Sequence, residues 1–467
     1  MKTYLRGAAA LAALAAFAGM TGAARAADVD YTPPPAYSWS GFYVGAFVGA
    51  GASVADTELG ADFGEIGGFD IDFDGIGGEG FLGGAMAGFN WQVSDRFVLG
   101  IQGDIAWTDL DAELEIFGAE AKAGPDFIAS GSLRAGYLVT PETLFYIIGG
   151  YSYSEYEAKV SELDFKADQD YDGYHVGAGM ETRLSDRLTA RVEYRYTDFG
   201  SEDWDTDGFL DVSPRVHTGT LGIAYNLFPI AGEGEIASPA ADVVEPQVSW
   251  TGLYIGVNGG AGAVVNRIEA DDLAGLDFDG IGGDGILGSL MAGFNWQVGD
   301  SFVIGIQGDI GLSDMKSKLD VFSDIDLGGI EVDAEIEAEA KMDWFADASL
   351  RLGWLPSPDT MIYVIGGYSY AHFKAEASGE GFIQLGDLQT EFIFDEKAKE
   401  NFDGFHVGTG IESMLTENLT LRAEYRYTQY SKEGGLFGFD EDFFEAFDTA
   451  PSTHVGTVGL AWLFNSL

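Results

Sequence analysis

Two stretches of the chain carry ionisable residues at every second position. Arg191, Glu193 and Arg195 alternate with Val192 and Tyr194, and Arg422, Glu424 and Arg426 alternate with Ala423 and Tyr425. In extended backbone, side chains two apart share a face. Each triplet is therefore a row of alternating charge facing one environment, with apolar residues facing another. The same parity in neighbouring segments adds Asp104, Arg134, His175, Glu181 and His217 to the first row. It adds Asp309, Arg351, His406, Glu412 and His454 to the second. Guanidinium and carboxylate groups mixed in this way neutralise and hydrogen-bond one another in a confined space. One outcome is a structural plug of ion pairs. The sharper alternative is a narrow, gated ion path through the same groups.

Other chemistries find less support. A nucleophilic site needs a base beside the nucleophile and an acid to orient the base. The serines are scattered, cysteine is absent, and the histidines are His175, His217, His372, His406 and His454. No triad is readable, so no catalytic residue, enzyme activity or cofactor is expected. The histidines lack a second ligand at metal spacing and read as hydrogen-bonded imidazoles. Asp70, Asp72 and Asp74 before Gly75 imitate the start of a calcium loop, the one weak metal candidate. Position twelve of that loop is Phe81 instead of glutamate, and the later copy keeps only Asp277, Asp279 and Gly280. Loosely held divalent cations fit these acidic stretches better than a dedicated site.

Composition narrows the class. Across 467 residues there are 76 acidic groups against 24 Lys plus Arg, a formal charge of −52. Nucleic acid is excluded as a partner, because phosphate binding needs clustered Lys and Arg. A hydrophobic fraction of 46% is too high for a disordered chain. Lys2 and Arg6, then an apolar small-residue run, then Ala24-Arg25-Ala26 read as a signal peptide over residues 1–26. After it no apolar run is long enough for a spanning helix. A mature chain that enters a membrane must do so as strands.

The chain is also duplicated. Ser38-Trp39-Ser40-Gly41-Phe42-Tyr43 returns as Ser249-Trp250-Thr251-Gly252-Leu253-Tyr254, and Gly88-Phe89-Asn90-Trp91-Gln92-Val93 returns unchanged at 293–298. Glu193-Tyr194-Arg195-Tyr196-Thr197 returns at 424–428, and the order of all such pairs is kept. The divisions are a leader at 27–38, a first repeat at 39–228, an Ala/Pro/acid-rich linker at 229–248 and a second repeat at 249–467.

Eight alternating segments of roughly eleven residues are readable in each repeat. In the first they begin near Phe42, Phe81, Phe97, Phe127, Leu144, Tyr174, Leu188 and Val216. Tight turns at 94–96, 141–142 and 185–187 alternate with long acidic stretches at 55–79, 109–124 and 201–213, read as loops. Short turns on one side and long loops on the other, with aromatics such as Tyr43, Trp91, Trp107, Tyr137, Tyr153, Tyr194 and Tyr196 near strand ends, match a transmembrane β-barrel with interfacial girdles. A soluble sandwich has no reason to sort its loops by length.

The run Gly80-Phe81-Leu82-Gly83-Gly84-Ala85-Met86-Ala87-Gly88-Phe89-Asn90-Trp91-Gln92, with the Trp-Ser-Gly-Phe-Tyr opening, resembles the small outer-membrane β-barrel proteins of alphaproteobacteria, related in architecture to the OmpA transmembrane domain. The resemblance spans nearly the whole mature chain, twice. It implies an all-β, antiparallel, eight-stranded barrel in the cell outer membrane, with porin-like or envelope-stabilising roles in some members. Two such barrels in tandem are expected, the alternative being one sixteen-stranded barrel. The corresponding functions are a structural or surface protein, with or without a narrow cation-favouring pore, a general porin for small hydrophilic solutes, or an adhesin or receptor acting through acidic loops. The expected partners are outer-membrane lipid, lipopolysaccharide, loosely held divalent cations and, during biogenesis, the barrel assembly machinery. Departures from the family pattern are the duplication, the acidity and an ending three residues beyond Phe464.

Overall fold

The computed structural model describes residues 38–62, 67–116, 119–161, 165–203, 210–229, 249–270, 276–326, 330–385, 388–431, 433–434 and 448–464. The signal segment and nearly all of the leader and linker lie outside the described residues. Among those described there are twenty strands. The first repeat holds β1 (Gly41–Asp62), β2 (Gly67–Gln92), β3 (Phe97–Thr108), β4 (Ala112–Ile116), β5 (Ala119–Thr140), β6 (Thr143–Val160), β7 (Phe165–Arg183), β8 (Leu188–Asp198), β9 (Glu202–Asp203) and β10 (Leu210–Pro229). The second holds β11 (Gly252–Ala270), β12 (Leu276–Val298), β13 (Phe302–Ser313), β14 (Lys316–Asp326), β15 (Ile330–Ser357), β16 (Thr360–Leu385), β17 (Leu388–Met414), β18 (Leu419–Tyr430), β19 (Glu433–Gly434) and β20 (Asp448–Phe464).

Each repeat closes on itself. β4 continues the line of β3, and β9 that of β8, each pairing with the same neighbour as the strand it extends. Antiparallel pairing then runs β1-β2-β3-β5-β6-β7-β8-β10, and β10 returns to β1 from Phe42↔Phe228 to Leu59↔Leu210. In the second repeat β20 closes on β11 from Leu253↔Phe464 onward. Closure is what hydrocarbon demands, because an unpaired edge there would strand backbone N–H and C=O groups. The outward faces carry the apolar alternates: Leu133 is 70% exposed, Trp91 and Trp107 each 61% and Ile304 48%.

The strands run much further than eleven residues, and the stretches read as loops are largely ladder. The described residues of 55–79, which are 55–62 and 67–79, form the far halves of β1 and β2, paired through Glu58↔Asp72 and Thr57↔Phe73. The described part of 109–124 includes β4 and the start of β5, which pair with each other, and the described part of 201–213 includes β9 and the start of β10. The reason is visible in Asp70-Ile71-Asp72-Phe73, which alternates as strictly as any membrane segment. Acidic side chains do not prevent a hairpin from extending its own hydrogen-bond ladder into water.

In these far halves the two repeats exchange strands. β2 leaves the β3/β4 line, and its 67–74 section pairs with β14, as in Phe73↔Leu319. Reciprocally, β12 pairs with β4 through Phe278↔Leu114. Where β2 and β12 cross, Ile76 is bridged to Ile281. A Cβ on Gly77 would stand 2.8 Å from Gly282 Cα, and one on Gly282 2.9 Å from Gly77 Cα. Only glycine permits that approach, which accounts for the repeated Asp-Phe-Asp-Gly-Ile-Gly-Gly at 72–78 and 277–283. Nearer the tight turns the rings lie side by side. There the Tyr425 ring packs on Gly219 and the Tyr194 ring on Gly456, while Thr143 Oγ1 meets Thr360 Oγ1 at 2.8 Å.

The chain has no cysteine of its own, so the exchange can be trapped. Phe73→Cys with Leu319→Cys should oxidise to an internal disulfide in the folded protein, since directly paired Cα atoms lie within about 4.5–5.5 Å. Adding Gly77→Val should suppress it. The readout is the mobility of the unfolded, non-reduced chain on a gel; no cross-link in the otherwise native background counts against the exchange.

Candidate functional site: two lumenal charge clusters

The first barrel gathers Asp104, Arg134, His175, Glu181, Arg191, Glu193 and Arg195 in its interior. Arg134 is held by Glu181 at 2.8 Å, and its guanidinium carbon lies 3.9 Å from the Tyr146 ring centroid. Arg195 bridges Asp104 at 2.9 Å and Glu193 at 2.8 Å. Glu193 also accepts the Tyr146 hydroxyl at 2.8 Å, and Glu181 accepts that of Thr189 at 2.7 Å. Gln102 links the two halves: its Oε1 accepts from Arg191 at 2.9 Å and from Tyr43 at 2.8 Å, and its Nε2 donates to Asp104 at 3.1 Å. His175 sits between Ser132 at 2.9 Å and Ser152 at 2.8 Å.

The second barrel rebuilds most of this network at the matching positions. Arg351 meets Glu412 at 2.5 Å, Arg426 meets Glu424 at 2.7 Å, and Arg422 donates to Gln307 at 2.9 Å. His406 lies between Ser349 and Ser369, each at 2.8 Å. One difference carries charge. Where the first barrel has Ser130, the second has Asp347, 2.6 Å from Arg426. With Asp309 at 3.7 Å, Arg426 then faces three carboxylates.

In both barrels the charge layer is flanked by buried apolar and aromatic side chains. Trp39 donates its indole N–H to the Pro141 carbonyl at 3.1 Å and packs in a buried cluster with Val98, Leu138, Leu144, Tyr146 and Ile148. Trp250 does the same at Pro358, at 3.0 Å. Above the charges, Leu110, Ile128, Tyr156, Tyr171, Phe199 and Val216 fill the first barrel, and Phe345, Phe373, Phe402 and Tyr430 are among those filling the second. Between the layers remain cavities of about 30 and 40 Å³. Each is the size of a few waters.

Three sequence expectations are corrected. His217 and His454 face outward into the seam between the barrels instead of the lumen. His217 pairs across strands with Tyr196, while its neighbour Thr218 lines the lumenal cavity. His217 Nδ1 lies 2.6 Å from the Tyr194 hydroxyl and its Nε2 3.3 Å from Asp284 of the other repeat. His454 mirrors it, 2.6 Å from Tyr425 and 3.1 Å from Glu79. Of the aromatics assigned to a lipid girdle, Tyr43 is 2% exposed and belongs to the lumenal network, and Tyr194 belongs to the seam. Asp70, Asp72 and Asp74 lie along extended β2, so their backbone does not curl around an ion as a calcium loop would. Among the described residues, no group of three or more His, Asp or Glu side chains is placed to hold a metal.

Sequence reasoning missed Tyr43, Gln102, Tyr146, Ser132, Ser152 and Asp347. Their strand parity was readable, since Gln102 stands two residues from Asp104. Polar and aromatic residues without formal charge simply carry a weaker lumenal signature.

Comparison with known proteins follows the duplication. The family model described as outer membrane protein beta-barrel domain matches residues 9–226 and again 235–464. A 31 kDa outer-membrane immunogenic protein of Brucella melitensis is 28% identical over 244 residues, which is 50% of this chain and 93% of that protein. A 22 kDa outer membrane protein of Rhizobium leguminosarum is 35% identical over 173 residues, covering 37% of this chain and 70% of its own length. A 25 kDa outer-membrane immunogenic protein of Brucella abortus is 32% identical, covering 37% and 72%. A solved Pseudomonas putida toluene transporter aligns over 92% of both chains at 11% identity and a TM-score of 0.26, too loose a likeness to carry an argument.

The pairing of Arg134 with Glu181 makes a stability test. Arg134→Ala leaves buried Glu181 with Arg191, at 3.6 Å, as its one remaining ion-pair partner and puts carboxylates in excess in the cluster, so it should lower unfolding free energy by about 3–5 kcal/mol. Arg134→Met with Glu181→Gln should cost clearly less, because Arg191 and Arg195 then stand against Asp104 and Glu193 and the cluster's charges stay equal in number. Urea unfolding in detergent micelles reads both; a double variant as damaged as the single would show that the charge pairing is not what matters.

Proposed function

Taking as premise that this chain belongs to the outer membrane protein beta-barrel family and resides in the outer membrane, we propose that it is a non-conducting, non-enzymatic envelope protein. In this reading two plugged barrels anchor a tall, acidic sheet displayed outside the cell. The observation that carries it is the filling of both lumina. An ion path needs a continuous polar route, and here each charge layer lies between a tryptophan seal and an aromatic seal. The general-porin reading requires an open lumen and is disfavoured for the same reason. The narrow-pore reading would rest on the second barrel, where Asp347 adds a carboxylate that the first barrel lacks.

The proposed partners follow from chemistry. The outward apolar band suits lipid. In this reading the carboxylates on the strands extending beyond it would lie level with lipopolysaccharide phosphates, where loosely held divalent cations would bridge like charges. Insertion would use the barrel assembly machinery common to such strands.

Two measurements test this. Purified mature protein in a planar bilayer should give no steady conductance; large, persistent steps would overturn the plugged reading. In native membranes, chelation of divalent cations should lower thermal stability and expose the far halves of the strands to protease. Unchanged digestion and melting would remove the cation bridges from the proposal.

A further inference from the structure

Among the described residues, the far half of β17 has one paired edge and one with no strand beside it. Along its whole length β17 pairs with β16, from Leu385↔Leu388 to Thr360↔Ser413. Its other edge pairs with β18 only from Gly404↔Tyr430 downward. Among the described residues no strand meets the second edge of residues 388–402, save that Asp403 at its foot accepts from the Ser431 amide at 2.7 Å. A long free edge is a template for another strand, and soluble-facing edges are ordinarily blunted by lysine, proline or a bulge. Residues 388–395 contain neither lysine nor proline, and their register with β16 is unbroken.

The outward face of this edge specifies the partner. Ile393 is 81% exposed, the most exposed of the large apolar side chains. Glu391 and Asp395 flank it on the same face, and Glu380 lies directly opposite on β16. Among the described residues none of these three carboxylates has a basic group within ion-pair distance, whereas Lys397 lower down is tied to Glu376 at 2.9 Å. A strand laid along the edge would place its own alternate side chains beside acid, apolar, acid.

We propose that residues 388–402 are a docking edge for an extended, basic peptide segment of another protein, added as a further strand with Lys or Arg flanking an apolar residue. Main-chain hydrogen bonds supply the affinity in such additions, and alternate side chains supply the choice of partner. A second copy of this chain is a poor occupant, since its edge carries the same four carboxylates against two lysines. The inference rests on the display of the far strand halves outside the cell, as proposed above.

The test uses the full mature protein in detergent micelles and a synthetic peptide of about twelve residues alternating Lys with Ile. A control peptide of equal charge carries proline at every third position and cannot form a ladder. The alternating peptide should bind and slow amide exchange within 389–402, and Glu391→Lys with Asp395→Lys should weaken it by about tenfold or more. Binding by the proline peptide equal to that of the alternating one, protection elsewhere, self-association through this edge, or no binding would each overturn the proposal. Labelling of Ile393→Cys on intact cells by a membrane-impermeant maleimide judges the outward display separately. Failure there with peptide binding intact would refute the orientation and leave the edge standing.

Discussion

Backbone amides in hydrocarbon have no water to turn to, and most of the architecture follows from that. A strand inside the bilayer must be hydrogen-bonded on both sides, so each repeat closes upon itself, β1 against β10 and β11 against β20. Two strand ladders then fix which side chains face lipid and which face inward. Eight strands enclose only enough space for side chains to fill, so arginines and carboxylates directed inward have to satisfy one another. The near-identity of the two lumenal networks shows how little freedom the closed ring leaves them.

Outside the hydrocarbon the constraint relaxes, and the two repeats behave differently. Free of lipid, β2 keeps β1 and β12 keeps β11, but each gives up its other neighbour and takes that of its counterpart, crossing at Gly77 and Gly282. The same relaxation leaves the second edge of the far half of β17 without a strand beside it among the described residues, which the bilayer would never tolerate. Duplication thus makes more than two anchors side by side. It produces a joined outer sheet whose halves depend on one another, with His217 against Asp284 and His454 against Glu79 placed at the seam just below the crossing.

Much of this was legible in the residues. Alternation in Leu188-Thr189-Ala190-Arg191-Val192-Glu193 placed the membrane strands and the lumenal charges, because parity in extended backbone needs no knowledge of neighbours. Parity failed at His217. There an outward residue is polar because it meets the other repeat, Asp284 of β12, instead of lipid. It also misled at 55–79, where acidity suggested a loop although Asp70-Ile71-Asp72-Phe73 kept the period of a strand. The calcium-like Asp-x-Asp-x-Asp-Gly was a strand leading into a crossing.

Sequence alone determined the class: exported, duplicated, all-β, with one face for hydrocarbon and one for ion pairs, since these depend on residue type and a spacing of two. Only the tertiary structure decided that each repeat closes separately, that tryptophan and aromatic layers flank the lumenal charges, and that strands pair between repeats beyond the outward apolar band. Those outcomes turn on which strand lies beside which. Partner choice is a long-range competition among chemically similar ladders, and the local pattern of any one strand does not encode its neighbour.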